Sequence, residues 1–357
     1  MKTSSLSIAI TADPELPVPP RHYGGIERVI HGLVARLTAA GHRVVVFAHR
    51  DSRVSCELVP YPGTSSTSSR ATIQNASTIA SHLLRHKVDL IHSFSRLQYL
   101  APLALHPAKK LMTYQRPITQ ASVRRAVRLF GATIEFTACS ESLAADVRSL
   151  ARWHVVYNPV PVERYTFTPA VSDAAPLVFL GRIEHIKGPH IAIEVARRAG
   201  RRLVLAGNIP PEHHGYFEDR IRPHLDGSNV TYVGPVGDDQ KNALLGRAAA
   251  LLMPVLWDEP FGIVMAESLA CGTPVIALGR GSVPEVVEDS VTGYIAADID
   301  GLVAGVLRLN RLNRGACRRT AESRFSEEVI ASKYEAIYRD LIGSGRKRLP
   351  VPASAMH

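Results

Sequence analysis

The sequence predicts an α/β protein built from two parallel-sheet domains that face each other across a cleft. Three observations lead there. Short, β-branched apolar runs alternate with segments of helical period along most of the chain. The alternation breaks at residues 158–175, where Pro159, Pro161 and Pro169 fall without helical period, and then starts afresh. A chain of 357 residues also exceeds what one ordinary core organises.

In the first half, strands are expected at residues 6–11, 43–48, 90–94, 110–114, 134–138 and 154–157. Between the first two, Ile26, Val29, Ile30, Leu33, Val34 and Leu37 share one face of a helix over 26–40. In the second half the strands fall at 177–180, 203–206, 230–233, 251–255, 275–278 and 293–296, with helices at 191–199 and 263–270. Strands alternating with helices imply βαβ units and parallel sheets. Such open sheets bind ligands beyond the carboxyl ends of their strands, so the cleft is the expected site. The domains are expected at 1–160 and 161–325. An amphipathic helix over 326–342 should return to the first domain, ahead of a disordered basic tail, 343–357, with Arg346, Lys347 and Arg348. Residues 64–69, all Ser or Thr, read as a flexible surface loop.

A hydrophobic fraction of 46% and a charged fraction of 21% belong to a soluble globular chain. No run approaches the ~20 apolar residues of a membrane span. Residues 1–10 superficially resemble a signal peptide, but Ser interrupts their apolar part, which reads as a first buried strand. Cys56, Cys139, Cys271 and Cys317 stand apart with no metal-ligand spacing, which suggests a reducing cytoplasm. The net charge of +10 predicts attraction to anions: nucleotide phosphates, an anionic membrane face or nucleic acid. Nucleic acid fits least, because no face interleaves basic residues with aromatics, which are only 6% of the chain.

The most informative stretch runs over residues 257–276. It places Glu259 just ahead of a helix start and Glu267 two turns into that helix. Pro260 at the first helical position, with Gly262 after it, suits a sharp start that lets a ligand close to the backbone. Unpaired N–H groups there attract phosphate, and carboxylates accept hydrogen bonds from sugar hydroxyls. A nucleotide sugar offers both. Glu267 lies among Met265, Ala266, Leu269 and Ala270, so its carboxylate needs a partner; an unpaired charge there costs roughly 3–5 kcal/mol.

These residues also carry a family resemblance. The Glu-x7-Glu element from Glu259 to Glu267, with Gly181-Arg182-Ile-Glu-His-Ile-Lys187-Gly188 and Tyr23-Gly24-Gly25-Ile26, resembles the motifs of retaining family-four (group-one) glycosyltransferases of GT-B fold. The likeness spans about residues 8–338, with the three motifs in the family's order. It implies transfer of a sugar from a nucleoside-diphosphate sugar to a glycan, lipid-linked or small-molecule acceptor, with retention and without metal or cofactor. By the resemblance Glu267 takes the ribose hydroxyls and Glu259 the transferred sugar. Arg182 and Lys187 neutralise the diphosphate, the amides of Phe261, Gly262 and Ile263 hold the donor, and Gly25 reaches the phosphate from the first domain. Asp298-Ile-Asp300 superficially matches the Asp-x-Asp metal motif of another glycosyltransferase fold, but Asp300 reads better as the cap of a helix over 302–309.

One position departs from the family. Where many relatives place a His near the transferred sugar, this chain has Gln115, which donates a hydrogen bond but does not titrate. His92, ending the preceding strand, is an alternative cleft residue or else a core His. Residues 121–130 set Val123, Ala126, Val127 and Phe130 opposite Arg124, Arg125 and Arg128. This is either a docked helix with a basic rim or an interfacial helix for an anionic membrane. The cytoplasm, or the inner membrane face, is the expected location. A non-catalytic relative that binds a nucleotide sugar or a protein partner is the alternative reading.

Overall fold

The computed structural model describes residues 4–21 and 24–344, so Tyr23 and residues 345–357 of the expected tail lie outside the described residues, whereas residues 343 and 344, expected in that tail, end the last helix instead. A first sheet holds seven parallel strands: β1 (Ser7–Thr11), β2 (Arg43–Ala48), β3 (Glu57–Pro60), β4 (Leu90–Ser93), β5 (Lys109–Tyr114), β6 (Ile134–Ala138) and β7 (Trp153–Val155). A second holds six: β8 (Leu177–Leu180), β9 (Leu203–Ala206), β10 (Val230–Tyr232), β11 (Ala250–Met253), β12 (Val275–Leu278) and β13 (Gly293–Ala296). The first runs β3-β2-β1-β4-β5-β6-β7 and the second β10-β9-β8-β11-β12-β13. Both therefore reverse direction once, between β1 and β4 and between β8 and β11, the points where doubly wound sheets open a ligand crevice.

The central strands form because their runs are apolar on both faces. Val44 to Ala48 and Leu251 to Met253 are all buried, as strands covered by helices on each side must be. Register is simple: Ile8 faces Val44 on one side and Leu90 on the other. The sequence misses β3, an edge strand of four partly exposed residues ending in Pro60, because it has no continuous apolar run to betray it.

The final helix, Glu327–Ser344, does cross back. It packs Ile330, Ala331, Tyr334, Tyr338 and Leu341 into the core of the first domain beside Val29, Ile30 and Leu33. The approach is close enough that a Cβ at Gly32 would stand 2.3 Å from a Glu327 carboxylate oxygen. At the crossing, Phe325 is fully buried against Tyr157 and Phe261, so one aromatic cluster joins both domains; each such ring contributes roughly 1.5–3 kcal/mol by burial. Polar ties span the same boundary. The Glu285 carboxylate accepts the N–H groups of Glu141 and Ser142 at 2.7 and 2.9 Å, and Arg28 pairs with Asp238 at 2.7 Å.

Two expected helix details need correction. The helix after β13 is Ile299–Leu307, and its N-cap is Asp298, whose side chain accepts from the Gly301 N–H; Asp300 lies inside the first turn and pairs with Arg198. Helix 263–270 does not begin at Pro260. Gly262 is its cap, in the left-handed region at φ 67°, so Glu267 sits one turn in, not two.

Candidate functional site

The second domain supplies one wall of the cleft through loops that leave β8 and β11. The loop from Gly181 to Gly188 ends in a left-handed Gly188, φ 74°, where a Cβ would stand 2.1 Å from the Pro254 carbonyl oxygen. Gly188 thereby lets the two loops touch and delivers Lys187 to the β11 side. We expect Gly188→Ala to lower stability by about 2 kcal/mol or more, through strain and collision together, measurable as a shifted urea midpoint at unchanged slope.

Lys187 and Glu259 meet there. The Lys187 ammonium is 2.5 Å from Glu259 Oε2, and the Trp257 indole N–H donates to the same oxygen at 2.8 Å. The ammonium also lies 4.8 Å from the Trp257 ring centre, a cation–π contact that fixes the stem. Among the described residues Glu259 Oε1 makes no hydrogen bond, which leaves it as a free acceptor. Arg182, in the same loop, lies 2.8 Å from Glu184, and its Nε is buried without a hydrogen-bond partner. An orphaned donor of this kind waits for an acceptor.

The helix Ile263–Ala270 begins beside this pair. The N–H groups of Phe261, Gly262 and Ile263 donate to no protein acceptor among the described residues, as expected where a helix starts without a side-chain cap. The Phe261 ring itself is core, packed against Tyr157 and edge-on to Phe325, so only its backbone can serve a ligand. From the first domain, Gly25 opens the helix Gly25–Ala39, and a Cβ there would be 3.2 Å from Ile263 Cδ1. The two helix starts thus close on one another.

Glu267 is buried, and the partner it required exists. Lys241 lies 2.5 Å from its Oε1, and the Tyr165 hydroxyl donates to the same oxygen at 2.7 Å. Burial foremost, with the neighbouring carboxylate, pushes the Tyr165 phenol far up, so it stays protonated and donates. Neither Lys241 nor Tyr165 was foreseen. They come from elements 26 and 102 residues away, and no local periodicity announces them.

The first domain contributes the facing wall through loops after β1, β4 and β5. Gln115 lines a cavity of about 350 Å³ and donates to Asn158 Oδ1 at 2.6 Å. His92 is not at the cleft surface. It is fully buried, with Nδ1 2.6 Å from the Tyr338 hydroxyl and Nε2 2.6 Å from Thr113 Oγ1, so it belongs to the core that holds the crossing helix. The helix Gln120–Phe130 docks through Val123, Ala126 and Phe130 and leaves Arg124, Arg125 and Arg128 exposed.

Comparison with known proteins fits this geometry. Residues 168–322 match the model of glycosyl transferases group 1, and residues 23–164 that of glycosyltransferase family 4. A glycogen synthase of Mycobacterium tuberculosis is 26% identical over 404 aligned residues, 94% of this chain and 95% of the relative. A D-inositol 3-phosphate glycosyltransferase of Xylanimonas cellulosilytica is 30% identical over 300, covering 74% of this chain and 69% of its own. The crystal structure of AviGT4, a glycosyltransferase of avilamycin A biosynthesis, superposes with a TM-score of 0.73 at 26% identity, over 95% of this chain and 98% of that one. The chain belongs to the group-1 glycosyltransferases, with the GT-B fold, and such enzymes transfer a glycosyl group from a nucleotide sugar.

Proposed function

We propose that this chain transfers a sugar from a nucleoside-diphosphate sugar to a hydroxyl acceptor with retention of configuration and without a metal ion. The observation that carries the reading is the Lys187–Glu259 pair set beside Arg182 and the unpartnered amides at 261–263. Those amides and the two cations receive the diphosphate, whose negative charge grows as the sugar leaves. Free Glu259 Oε1 takes a hydroxyl of the transferred sugar. Glu267, oriented by Lys241 and Tyr165, accepts from the ribose.

No carboxylate is placed as a nucleophile in this reading. The acceptor oxygen attacks the anomeric carbon on the face the diphosphate leaves. The C–O bond to phosphate breaks as the new one forms, and the acceptor's proton passes to the departing phosphate oxygen. Arg182 and Lys187 supply the charge stabilisation that a metal provides in other designs. Closure of the first domain, through Gly25 against Ile263, excludes water that would hydrolyse the donor. No helix among the described residues is long and apolar enough to cross a membrane. A cytoplasmic enzyme that reaches an anionic membrane face through Arg124 and Arg128 is compatible with that.

The test is calorimetry of UDP-, GDP-, ADP- and TDP-sugars without added metal. One donor should bind, and Glu267→Ala should weaken it roughly tenfold to a hundredfold, the cost of a lost hydrogen bond to a charged group. Unchanged binding after chelation supports metal independence, and the anomeric coupling in the product's NMR spectrum reports retention. A folded protein that binds no donor would instead fit a non-catalytic relative.

A further inference from the structure

We propose that the acceptor carries a phosphate ester, held by Arg96, Arg116 and Arg125 in the first domain's cavity; this names the acceptor class for the site proposed above and rests on that reading. The three arginines come from different places: Arg96 from the loop after β4, Arg116 from the loop after β5, and Arg125 from the helix Gln120–Phe130. All three line the cavity that Gln115 lines. Its single carboxylate is Asp13, so the formal charge of the lining is three minus one, or +2. That balances a phosphate monoester dianion.

Among the described residues none of the three arginines holds a carboxylate closer than 3.9 Å. Neither Arg96 nor Arg125 takes part in an ion pair among the described residues, and Arg116 reaches Asp13 only at 3.9 Å. Arg28, Arg152 and Arg36, by contrast, hold carboxylates at 2.7–2.8 Å. Asp13 faces both Arg96 and Arg116, and Glu27 acts on Arg116 from outside the lining, yet three cations line the concavity against one carboxylate, and their mutual repulsion favours entry of an anion. Arginine's planar fork suits a phosphate's oxygens in pairs.

Asp13 supplies the second part of the recognition. Its Oδ1 is buried without a hydrogen-bond partner, at the carboxyl end of β1, on the same cavity wall. A buried acceptor atom facing a cavity suits a hydroxyl of the bound molecule. Phosphate on the arginines and hydroxyl on Asp13 describe a phosphorylated sugar or polyol. The cavity continues past Arg96 and Gln98 into a groove of about 480 Å³ lined by hydroxyls including Ser66, Thr67, Ser69 and Thr72. With Ile73, Ala76 and Pro102 beside those hydroxyls, the groove offers the rest of a larger acceptor a mixed polar and apolar floor. Ile26, which also lines the cavity, follows the Gly25 that touches Ile263, so the acceptor site abuts the donor's helix start.

A free sugar phosphate and a lipid headgroup offer the same phosphate chemistry, and the experiment separates the two sources. The full chain is titrated with glucose 6-phosphate, glucose and inorganic phosphate, and sedimented with phosphatidylcholine vesicles with and without phosphatidylinositol. Glucose 6-phosphate should bind at least roughly tenfold more tightly than glucose, and Arg96→Gln/Arg125→Gln should remove that preference. Both arginines are exposed and outside ion pairs, so the double variant should keep the wild-type unfolding midpoint. Sedimentation that needs phosphatidylinositol and is lost in the double variant would also support the proposal and place the phosphate on a headgroup. Equal binding of glucose and glucose 6-phosphate, without phosphatidylinositol-dependent sedimentation, would overturn it. So would a preference lost in Lys187→Ala but kept in the double variant, because the anion would then occupy the donor's diphosphate loop. Nucleotide-sugar titrations run in parallel keep the two readings apart: no donor binding with the phosphate preference intact sinks the catalytic reading and leaves the anion site standing.

Discussion

Lys187→Met is expected to lower kcat by roughly 10²–10³, the loss typical of removing one preorganised donor from a developing anion. The ammonium sits at the junction of the two loops, 2.5 Å from Glu259 and 4.8 Å from the Trp257 ring centre, and both partners are largely buried. On the proposed reading it needs no reorganisation when charge develops on the diphosphate. The same burial complicates the single variant, because Glu259 would keep its charge without its cation. Leaving a buried carboxylate unpaired costs about 3–5 kcal/mol, enough to confuse lost catalysis with lost folding. The companion variant Lys187→Met/Glu259→Gln removes both charges, and the Trp257 N–H still finds an amide oxygen at position 259. If the double variant regains the wild-type urea midpoint while kcat stays depressed by roughly 10² or more, Lys187 acts on the chemistry. A kcat within about threefold of wild type in either variant, less than 1 kcal/mol by the usual conversion, would remove Lys187 from the mechanism. Product formation with the donor found by calorimetry is the readout.

What could be read in the sequence follows from burial. Strands such as β2 and β11 are apolar on both faces because helices cover them, so they appear as unbroken runs. The helix 263–270 was visible for the same reason, with Met265 to Ala270 wholly buried. Features set by contacts distant in sequence were not visible. The need of Glu267 for a partner could be argued from its neighbours, but Lys241 and Tyr165 could not be chosen from among the chain's other basic and phenolic residues. The arginine cavity is gathered from positions 96, 116 and 125 by the return of successive strands to one sheet edge, so linear charge counting saw only one arginine-rich helix face. Capping failed by two residues at Asp298 because Asp-Ile-Asp offers two caps of equal chemistry, and only the backbone decides between them. The sequence leaves His92 open between cleft and core, because a polar residue ending a strand resembles a site residue until the crossing helix covers it; the structure settles on the core.

That covered histidine gives the second large effect, a loss of stability on mild acidification. Burial holds the His92 imidazole down to about 3, against an ordinary value of 6.5. Between those values the unfolded chain binds a proton that the folded chain refuses, so stability is fully present above pH 6.5 and is lost as pH falls toward 3. The steepest slope is about 1.4 kcal/mol per pH unit, or about 2 kcal/mol between pH 7 and pH 5. Other groups push the opposite way. Burial raises Glu27, Glu285 and Glu327, and each contributes stability as acidification neutralises it in the folded state first. The His92 contribution is therefore read by difference. His92→Gln keeps a side chain able to bond Thr113 or Tyr338 but does not titrate. We expect it to be less stable than wild type at pH 7 by about 1–3 kcal/mol, for a buried hydrogen bond left unmade. That deficit should shrink by about 2 kcal/mol at pH 5, because only wild type refuses the proton. Urea midpoints at the two pH values measure both quantities, and a deficit that does not change with pH would show that His92 is not held neutral. The consequence reaches the active site. Tyr338 and Tyr334 flank this ring from the helix that ties the second domain to the first, so protonating His92 would loosen the tie between the two walls of the cleft.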